Sequence, residues 1–277
     1  MTRADEAPAP AAERWAVILG SSAGSGAAIA RAVVRDPGLH VFGVHRGHYA
    51  EAATALEQEL RSAGRRVVLH VADAGHADGV RACAEALAAA AGPRSVGLLV
   101  HAISGASLGH FLSTRGDAFQ PRHFEKTFDY MAHSFAYWAQ TLHARDLLAP
   151  NARLLGLTNL LHDSIIHNCG LIAAAKAALQ MYVHYLAVEL GPLGHRVNLL
   201  KFGTLMTPAL ERMLGPERSK RLEATYREMT PAGRVLTAEE LGRAVSFLAR
   251  EESEWFNGAT IDYSGGMALR LLDIVAA

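Results

Sequence analysis

The fold of this chain is decided by residues 15–34, which read WAVILGSSAGSGAAIARAVV. Five apolar residues, typical of a buried strand, lead into a loop with the glycine spacing G-x-x-x-G-x-G, and a helix-forming segment follows. Such a loop lets the backbone approach a pyrophosphate closely, and the helix behind it offers unpaired N–H groups and a positive dipole end. The candidate pyrophosphate contacts are Gly20, Ser22, Gly24, Ser25 and Gly26. The alternative is a turn of small residues that only packs the helix against the sheet.

The rest of the chain repeats this alternation of strand and helix. Strand-like apolar runs cover residues 15–20, 39–45, 66–72, 95–103, 152–158, 196–202 and 259–265. Helix-periodic segments cover residues 24–35, 49–63, 76–91, 121–148, 168–190, 208–228 and 237–250. Because apolar and polar residues do not alternate within the strands, both faces must be buried, as in a parallel sheet covered by helices on both sides. We therefore expect one α/β domain over residues 14–277, a Rossmann-type doubly wound parallel sheet of about seven strands, preceded by a mobile tail at residues 1–13.

The composition restricts the classes of function. The 277 residues are 50% apolar, so a large core can be buried, and 27 basic residues balance 27 acidic ones. A net charge of zero argues against nucleic acid or an anionic membrane as a partner. The chain shows no signal peptide and no apolar run of the roughly 18 residues that a membrane helix needs. Two widely spaced cysteines and scattered histidines predict a cytoplasmic protein with no disulfide framework and no metal site.

The ends of the second and third strands predict which dinucleotide binds. An acidic residue usually follows the glycine loop by about 20 residues in an NAD site, where it binds the ribose 2′-hydroxyl. This chain has His45 and Arg46 there, and an arginine suits a 2′-phosphate, so we expect NADPH. Asp73, followed by Ala74, is placed to accept a hydrogen bond from the adenine amino group. The alternatives are a solvated Arg46 and an Asp73 that caps the helix at 76–91.

These features resemble the short-chain dehydrogenase/reductase superfamily over residues 14–270. Besides the glycine loop and Asp73, the matching segments are LLVHAI at 98–103, AAAKAAL at 173–179, GTLMT at 203–207 and YSGG at 263–266. The second half is most similar to the enoyl-acyl-carrier-protein reductase branch, on the strength of VHAI at 100–103 and TPAGR at 230–234. The resemblance implies an oxidoreductase that uses a nicotinamide cofactor.

The resemblance also implies roles for individual residues. Lys176 matches the lysine that hydrogen-bonds the nicotinamide ribose, and Thr158 stands at the position of the catalytic serine. Thr207 matches the threonine that holds the nicotinamide carboxamide. The other cofactor contacts implied in this way are Ala102, Ile103, Gly203 and Leu205.

The chain departs from the family pattern at the proton donor. The family's tyrosine lies four residues before the lysine, or seven in the enoyl reductase branch, and here these positions hold Ile172 and Cys169. The side chains that could replace it are Cys169, Thr158, His162, Asp163 and His167, each of which also has an ordinary role in packing or on the surface. A substrate can also supply its own donor, as an aromatic ketone with a hydroxyl on the adjacent ring position would. Tyrosine-less ketoreductases of the angucycline type are similar in this respect.

Three functions follow from these observations. The favoured one is an NADPH-dependent reductase acting on a ketone of a bulky aromatic polyketide-type substrate, because the loop at 104–124 is long and carries Leu108, Phe111, Leu112 and Phe119. The second is an enoyl-thioester reductase. The third is a catalytically inactive nucleotide-binding protein, which the intact glycine loop, Lys176 and Thr207 disfavour.

The helical segments at 121–148 and 168–190 predict self-association. Both carry more apolar residues than one sheet face needs for cover. The resemblance implies that these helices pair between subunits. We therefore expect a homodimer or a homotetramer with two-fold symmetry.

Overall fold

The computed structural model describes residues 13–36, 38–160 and 165–270. Seven strands form one sheet: β1 Arg14–Leu19, β2 Leu39–His45, β3 Val67–Val71, β4 Val96–His101, β5 Leu148–Thr158, β6 Arg196–Phe202 and β7 Thr260–Tyr263. The helices are α1 Gly24–Val33, α2 Ala50–Ser62, α3 Ala77–Ala91, α4 Pro121–Phe128, α5 Ser134–Ala144, α6 Gly170–Leu190, α7 Pro208–Leu214, α8 Pro216–Met229 and α9 Ala238–Leu248. Of the tail expected at 1–13, only Glu13 is described, and its carboxylate pairs with His40 at 3.0 Å.

The sheet has the strand order β3-β2-β1-β4-β5-β6-β7, and every neighbouring pair is parallel. This confirms the doubly wound sheet of seven strands. The order reverses between β1 and β4, which is where such folds open a crevice for a ligand. Leu19, at the end of β1, lies between Val44 of β2 and His101 of β4. The glycine loop therefore emerges between the ends of two neighbouring strands.

Two apolar layers hold the helices on the sheet. In β1, Trp15, Val17 and Leu19 face a layer formed with α3, α5 and α6, while Ala16 and Ile18 face a layer formed with α1, α2 and α9. All five side chains are buried, which explains why the strand shows no polar alternation. Each large apolar side chain buried in this way contributes about 1.5–3 kcal/mol.

The single helix expected at 121–148 is divided in the structure. After α4, a π-helical turn at Asp129–His133 inserts before α5, and α5 ends at Ala144. A π turn rotates the side chains that follow it relative to a continuous α-helix. The helix ends early because β5 begins at Leu148, four residues before the expected start at 152. The pairing of β5 with β4 shifts between Leu148 and Arg153 through a bulge near Asn151, whose φ is +57°.

The helix expected at 208–228 is also two helices. Gly215 separates α7 from α8 with a φ of +78°, a left-handed conformation that favours glycine, and Pro216 then begins α8 without a backbone N–H to donate. The break changes the direction of the chain near the cofactor cleft.

By length and hydropathy alone, α6 could cross a membrane, since its most apolar stretch has a mean hydropathy of 1.3. Core helices of soluble proteins pass the same test. The inner face of α6, with Leu171, Ala175 and Leu179, is buried against the sheet. We therefore interpret α6 as a core helix of the domain.

Candidate active site

The glycine loop has the geometry that a bound pyrophosphate requires. A Cβ on Gly26 would lie 2.1 Å from the carbonyl oxygen of Gly20, so only glycine lets α1 pack this closely against the loop. Gly20 has a φ of +88°, and a Cβ there would lie 2.8 Å from the carbonyl oxygen of Ala102. The alternative of a simple packing turn accounts for Gly26, but it does not account for the open helix end that the loop presents.

No side chain of the N-cap residue caps the N-terminal N–H groups of α1. Its N-cap residue, Ala23, makes no side-chain hydrogen bond, and no acidic residue lies in the first turn. The first N–H groups of a helix need acceptors, and the dipole there favours an anion. This free helix end fits the phosphate groups of a dinucleotide.

One cleft at the carboxyl ends of the strands brings together most of the predicted cofactor contacts. It is lined by Gly20, Ser22, Gly24, Ser25, His45, Arg46, Asp73, Ala74, Ala102, Ile103 and Thr207. It is also lined by residues that the sequence did not indicate: Ala23, Val44, His48, Tyr49, Ala72, Gly75, Ser104 and Tyr130. Gly26 lies beneath the loop as a packing residue, while Gly203, Leu205, Lys176 and Thr158 are buried outside this cleft.

Arg46 follows the last residue of β2 and lines the cleft. Its guanidinium is 4.8 Å from the centre of the Tyr130 ring, and it forms no ion pair with any described residue. The neighbouring His45 is buried, and this burial lowers its pKa. Its Nδ1 accepts a hydrogen bond from the backbone N–H of Gly47 at 3.2 Å. Arg46 therefore brings a positive charge to this part of the cleft, beside the Tyr130 ring.

Asp73 is bound by the Tyr130 hydroxyl and does not cap a helix. The Tyr130 hydroxyl donates to one carboxylate oxygen of Asp73, and the backbone N–H of Gly75 donates to the other at 2.9 Å. The expected alternative, Asp73 as the cap of the third helix, is wrong, because α3 begins at Ala77 with His76 as its N-cap. Burial and the hydrogen bond to Asp73 raise the pKa of Tyr130, so it stays a neutral donor.

Tyr130 is the main site residue that sequence reasoning missed. It lies on the π-helical turn, and its ring fills space that glycines leave: a Cβ on Gly75 or Gly105 would lie within 2.5 or 2.8 Å of it. Two glycines after the third and fourth strands were a signal that a large side chain enters there. The sequence does not show which helix supplies it.

The segment after β6 covers the cleft from the other side. The Thr207 hydroxyl caps α7 by accepting from the backbone N–H of Leu210 at 3.2 Å. A Cβ on Gly24 would lie 3.4 Å from the Thr207 methyl group, so α7 begins directly opposite the glycine loop. Further along α7, Arg212 donates to the Tyr49 hydroxyl and lies 4.6 Å from the centre of its ring. These contacts place α7 across the cofactor cleft.

Lys176 and Thr158 meet at the end of β5. The Lys176 ammonium is buried and donates to the carbonyl oxygen of Leu157 at 2.6 Å, one residue before Thr158. Burial lowers the pKa of Lys176 from 10.5 to about 8. The Thr158 hydroxyl is buried and has no hydrogen-bond partner among the described residues, and a buried hydroxyl without a partner costs about 1–3 kcal/mol. A ligand that supplies this missing partner would gain that energy.

His101 lies beside this pair but is no acid. Its Nε2 is 2.8 Å from the Ser134 hydroxyl, and its Nδ1 has no hydrogen-bond partner within the described ranges. Complete burial, with the positive charge of Lys176 nearby, lowers its pKa to about 3. His101 is therefore neutral at physiological pH and cannot deliver a proton as an imidazolium.

The two tyrosine positions do not hold an acid of suitable strength. Ile172 is half-buried and packs against the core layer of α6. Cys169 is half-buried at the N-cap of α6, and burial raises the pKa of its thiol. His167 is exposed and lies 5.0 Å from His110, ring centre to ring centre. His162 and Asp163 lie outside the described residues.

An apolar rim borders the head of α6. The segments 108–112 and 165–170 adjoin, because the Gly109 N–H donates to the carbonyl oxygen of Asn168 at 3.0 Å. Phe111 lies so close to Gly170 that a Cβ there would be 2.3 Å from its ring. The rim consists of the exposed side chains Leu108, Phe111, Leu112, Ile165 and Ile166. Phe119 and Phe124 support it from below, each about 6 Å or less from Phe111 by ring centres.

The described residues contain no group of three or more His, Cys, Asp or Glu side chains that could hold a metal ion. A nicotinamide dinucleotide fits the cleft, since an open helix end, a glycine cradle and an arginine without an ion pair among the described residues line it.

Comparison with known families agrees with this geometry. Residues 20–268 match the family model described as enoyl-(acyl carrier protein) reductase. The chain belongs to this family. Its members are oxidoreductases of the short-chain dehydrogenase/reductase type, which confirms the resemblance and the fold.

Individual relatives show how far the likeness extends. Enoyl-[acyl-carrier-protein] reductase [NADH] FabI of Escherichia coli is 29% identical over 50% of this chain and 52% of its own. The 1-cyclohexenylcarbonyl-CoA reductase of Streptomyces collinus is 24% identical over 91% of this chain and 86% of its own. A blue fluorescent protein from a metagenomic library, solved in complex with NADPH, has a TM-score of 0.80 and 25% identity over 93% of this chain and 98% of its own. The chain spans about half the length of several curated relatives that it matches.

Proposed function

We propose that this protein is an NADPH-dependent reductase that transfers a hydride to a ketone of a bulky aromatic polyketide-type substrate and works without a tyrosine proton donor. The observation that carries the proposal lies at the head of α6. Lys176 donates to the carbonyl oxygen of Leu157, the residue before Thr158, but Ile172 and Cys169 occupy both positions at which the family has its tyrosine.

Four parts of the chain would hold the cofactor. The free N–H groups of α1 and the glycine loop would bind the pyrophosphate, and Arg46 would bind the 2′-phosphate. Asp73 would accept from the adenine amino group, and Lys176 would donate to the nicotinamide ribose. When bound, NADPH supplies the hydride. The NADPH complex of the metagenomic relative supports this choice, whereas the name of FabI specifies NADH.

The reacting oxygen needs a hydrogen bond as it gains negative charge. The Thr158 hydroxyl has no hydrogen-bond partner among the described residues, so it can donate this bond. Cys169 is a weak candidate acid because burial raises its pKa, and the neutral His101 is engaged with Ser134. A hydroxyl on the neighbouring ring position of the substrate would protonate the alkoxide, and the phenolate left behind would regain a proton from solvent.

The apolar rim supports a bulky substrate. Its exposed side chains lie at the carboxyl ends of the strands, where folds of this kind bind ligands. Leu112 and Ile165 are almost fully exposed, at 91% and 100%. A flat aromatic ligand would cover such side chains and gain about 25 cal/mol for each Å² of apolar surface removed from water.

A second candidate is reduction of an enoyl thioester. The family model and the cyclohexenylcarbonyl-CoA reductase relative favour it. In this reaction the oxygen that needs a hydrogen bond belongs to an enolate, and Thr158 could donate to it as well. The two functions therefore differ in substrate and not in the residues that bind the cofactor.

The decisive experiment compares three substrates by the rate of NADPH oxidation. They are 8-hydroxy-1-tetralone, its 8-methoxy ether, and crotonyl-CoA. We expect turnover of the hydroxyketone and a drop in kcat of at least about 100-fold for the ether, since losing a proton donor typically costs 10²–10⁴. Competition by the ether against the hydroxyketone establishes that the ether still binds.

Other outcomes distinguish the alternatives. Turnover of crotonyl-CoA alone would establish the enoyl reductase. NADPH binding with no turnover of any of the three would favour the inactive nucleotide-binding protein. Equal rates for the hydroxyketone and its ether would refute the substrate-assisted step.

We further propose that the protein assembles with two-fold symmetry. The outer face of α6 exposes apolar side chains along its length: Met181, Tyr185 and Val188 are 51%, 64% and 75% exposed. A second copy of the same helix would cover this face in an isologous contact. Light scattering at micromolar concentration should give at least twice the 29.6 kDa of one chain. A cytoplasmic location stays a prediction.

A further inference from the structure

A second polar cavity, which we call the basal cavity, lies at the opposite end of the sheet from the cofactor cleft. Its volume is about 690 Å³. The first residues of β1 and β2, the start of β4 and the turns after α1 and α9 surround it. The side chains that matter below are Arg14, Arg35, Arg153, Arg250, Glu251 and Glu252. Neither the family resemblance nor the reduction site assigns a role to this cavity.

Arg153 is the unusual member of the lining. It lies within β5, between Leu98 of β4 and Arg196 of β6, and only 4% of it is exposed. Its Nη1 donates to the carbonyl oxygen of Asn151 at 3.0 Å, but its Nε is buried and finds no hydrogen-bond partner among the residues that the structure describes. No carboxylate among the described residues forms an ion pair with it. A guanidinium stays charged in proteins, so its burial without a counter-ion is costly.

The surroundings of Arg153 add positive charge. Arg14 and Arg250 also form no ion pair with a described residue, and Arg35 contacts Glu239 at 3.4 Å at an exposed position. Burial and the charges of Arg196 and Arg14 lower the pKa of Arg153, and Glu254 and Glu251 oppose this only in part. The negative charges around Arg153 therefore offset only part of the cost of burying its positive charge.

The backbone leaves room for these arginines. A Cβ on Gly97 would lie 3.0 Å from the Cδ of Arg14, so glycine lets the Arg14 side chain run along the start of β4. The acidic residues of the lining do not pair with these arginines. Glu251 and Glu252 are exposed at the rim, and the Asp36 carboxylate accepts from the Gly38 N–H at 2.9 Å.

We propose that the basal cavity is a binding site for a phosphate group, free or carried by a small organic molecule. Guanidinium groups that approach from different strands suit a tetrahedral oxyanion, and the planar fork of Arg153 can donate two hydrogen bonds to it. Such an anion supplies the counter-ion that Arg153 lacks. This site is independent of the proposed reduction.

The test is thermal unfolding of the full chain during titration with inorganic phosphate and, separately, with glycerol 3-phosphate, at constant ionic strength. A ligand that binds only the native state raises Tm in a saturable way. We expect this rise in the wild type and its loss in Arg153→Met. Arg218→Gln, at an exposed position on α8 away from the cavity, is the matched control and should respond like the wild type.

Two further variants keep the proposal falsifiable. If Arg153→Met does not fold, Arg250→Gln at the exposed edge should weaken phosphate binding about tenfold, the factor that one charge-assisted hydrogen bond typically contributes. Arg46→Gln removes the arginine from the cofactor cleft, so the part of the response that comes from the basal cavity should persist in this variant. A response lost in Arg46→Gln but kept in Arg153→Met would place the phosphate in the cofactor cleft and overturn the proposal. A wild type with no saturable response to either compound would also overturn it.

Discussion

The buried ammonium of Lys176 gives a quantitative prediction about stability. Only 5% of this residue is exposed, and its hydrogen bond is to the carbonyl oxygen of Leu157. Burial lowers its pKa from 10.5 to about 8, which corresponds to about 3 kcal/mol of differential interaction between its charged and neutral forms. The perturbation is Lys176→Met, which keeps the side-chain length and removes the titrating group.

The direction of the pH effect follows from proton binding. Between about pH 8 and pH 10.5, the unfolded chain keeps the Lys176 proton and the native protein has lost it. The free energy of unfolding of the wild type, relative to that of the variant, therefore rises with pH by about 1.4 kcal/mol per unit in this window. Below about pH 8 both states carry the proton, so the difference between the two proteins stops changing.

Urea unfolding of the cofactor-free wild type and of Lys176→Met, measured at several pH values from 7 to 10, checks this prediction. The difference in unfolding free energy should rise by roughly 2–3 kcal/mol in favour of the wild type across the range. Lys220→Met, at an exposed position on α8, is the matched control and should show a flat difference. A wild type whose difference from Lys176→Met also stays flat would mean that Lys176 titrates near 10.5 and is not desolvated as the geometry indicates.

Three further predictions concern the active site. Arg46→Asp should weaken NADPH binding about 10–100-fold in a fluorescence titration, because it removes the partner of the 2′-phosphate and adds a repulsive charge. NADH should then bind with equal or greater affinity than NADPH. The control Arg218→Asp, at an exposed position on α8, should change neither affinity. Gly26→Ala should abolish cofactor binding, because the new methyl group would lie 2.1 Å from the Gly20 carbonyl oxygen and displace the loop, and unchanged NADPH affinity would contradict the role of that loop. Cys169→Ala should leave kcat within roughly tenfold of the wild type with 8-hydroxy-1-tetralone, whereas a loss of several hundredfold with normal NADPH binding would identify Cys169 as the missing acid.

The sequence by itself determined the architecture and the cofactor end of the site. Short apolar strands and periodic helices depend on local composition and spacing, so the sheet of seven parallel strands and the bounds of β2 and β6 could be predicted closely. The glycine loop, Arg46 and Asp73 follow strand ends, and in a parallel sheet all such ends meet at one edge. Patterns of this kind can be recognised in the sequence without knowledge of long-range contacts.

Only the tertiary structure decided which distant side chains meet. Tyr130 reaches Asp73 because a π-helical turn rotates it inward, and Arg212 reaches Tyr49 because Gly215 ends α7 before the chain turns into α8. The structure also decided which charges lie out of water. In the sequence, Lys176 and Arg153 are two basic residues among 27, yet the sheet and helices bury both, and neither has a carboxylate partner in the described part of the chain. Desolvation depends on how the layers pack around a group, and no local pattern of residues records that.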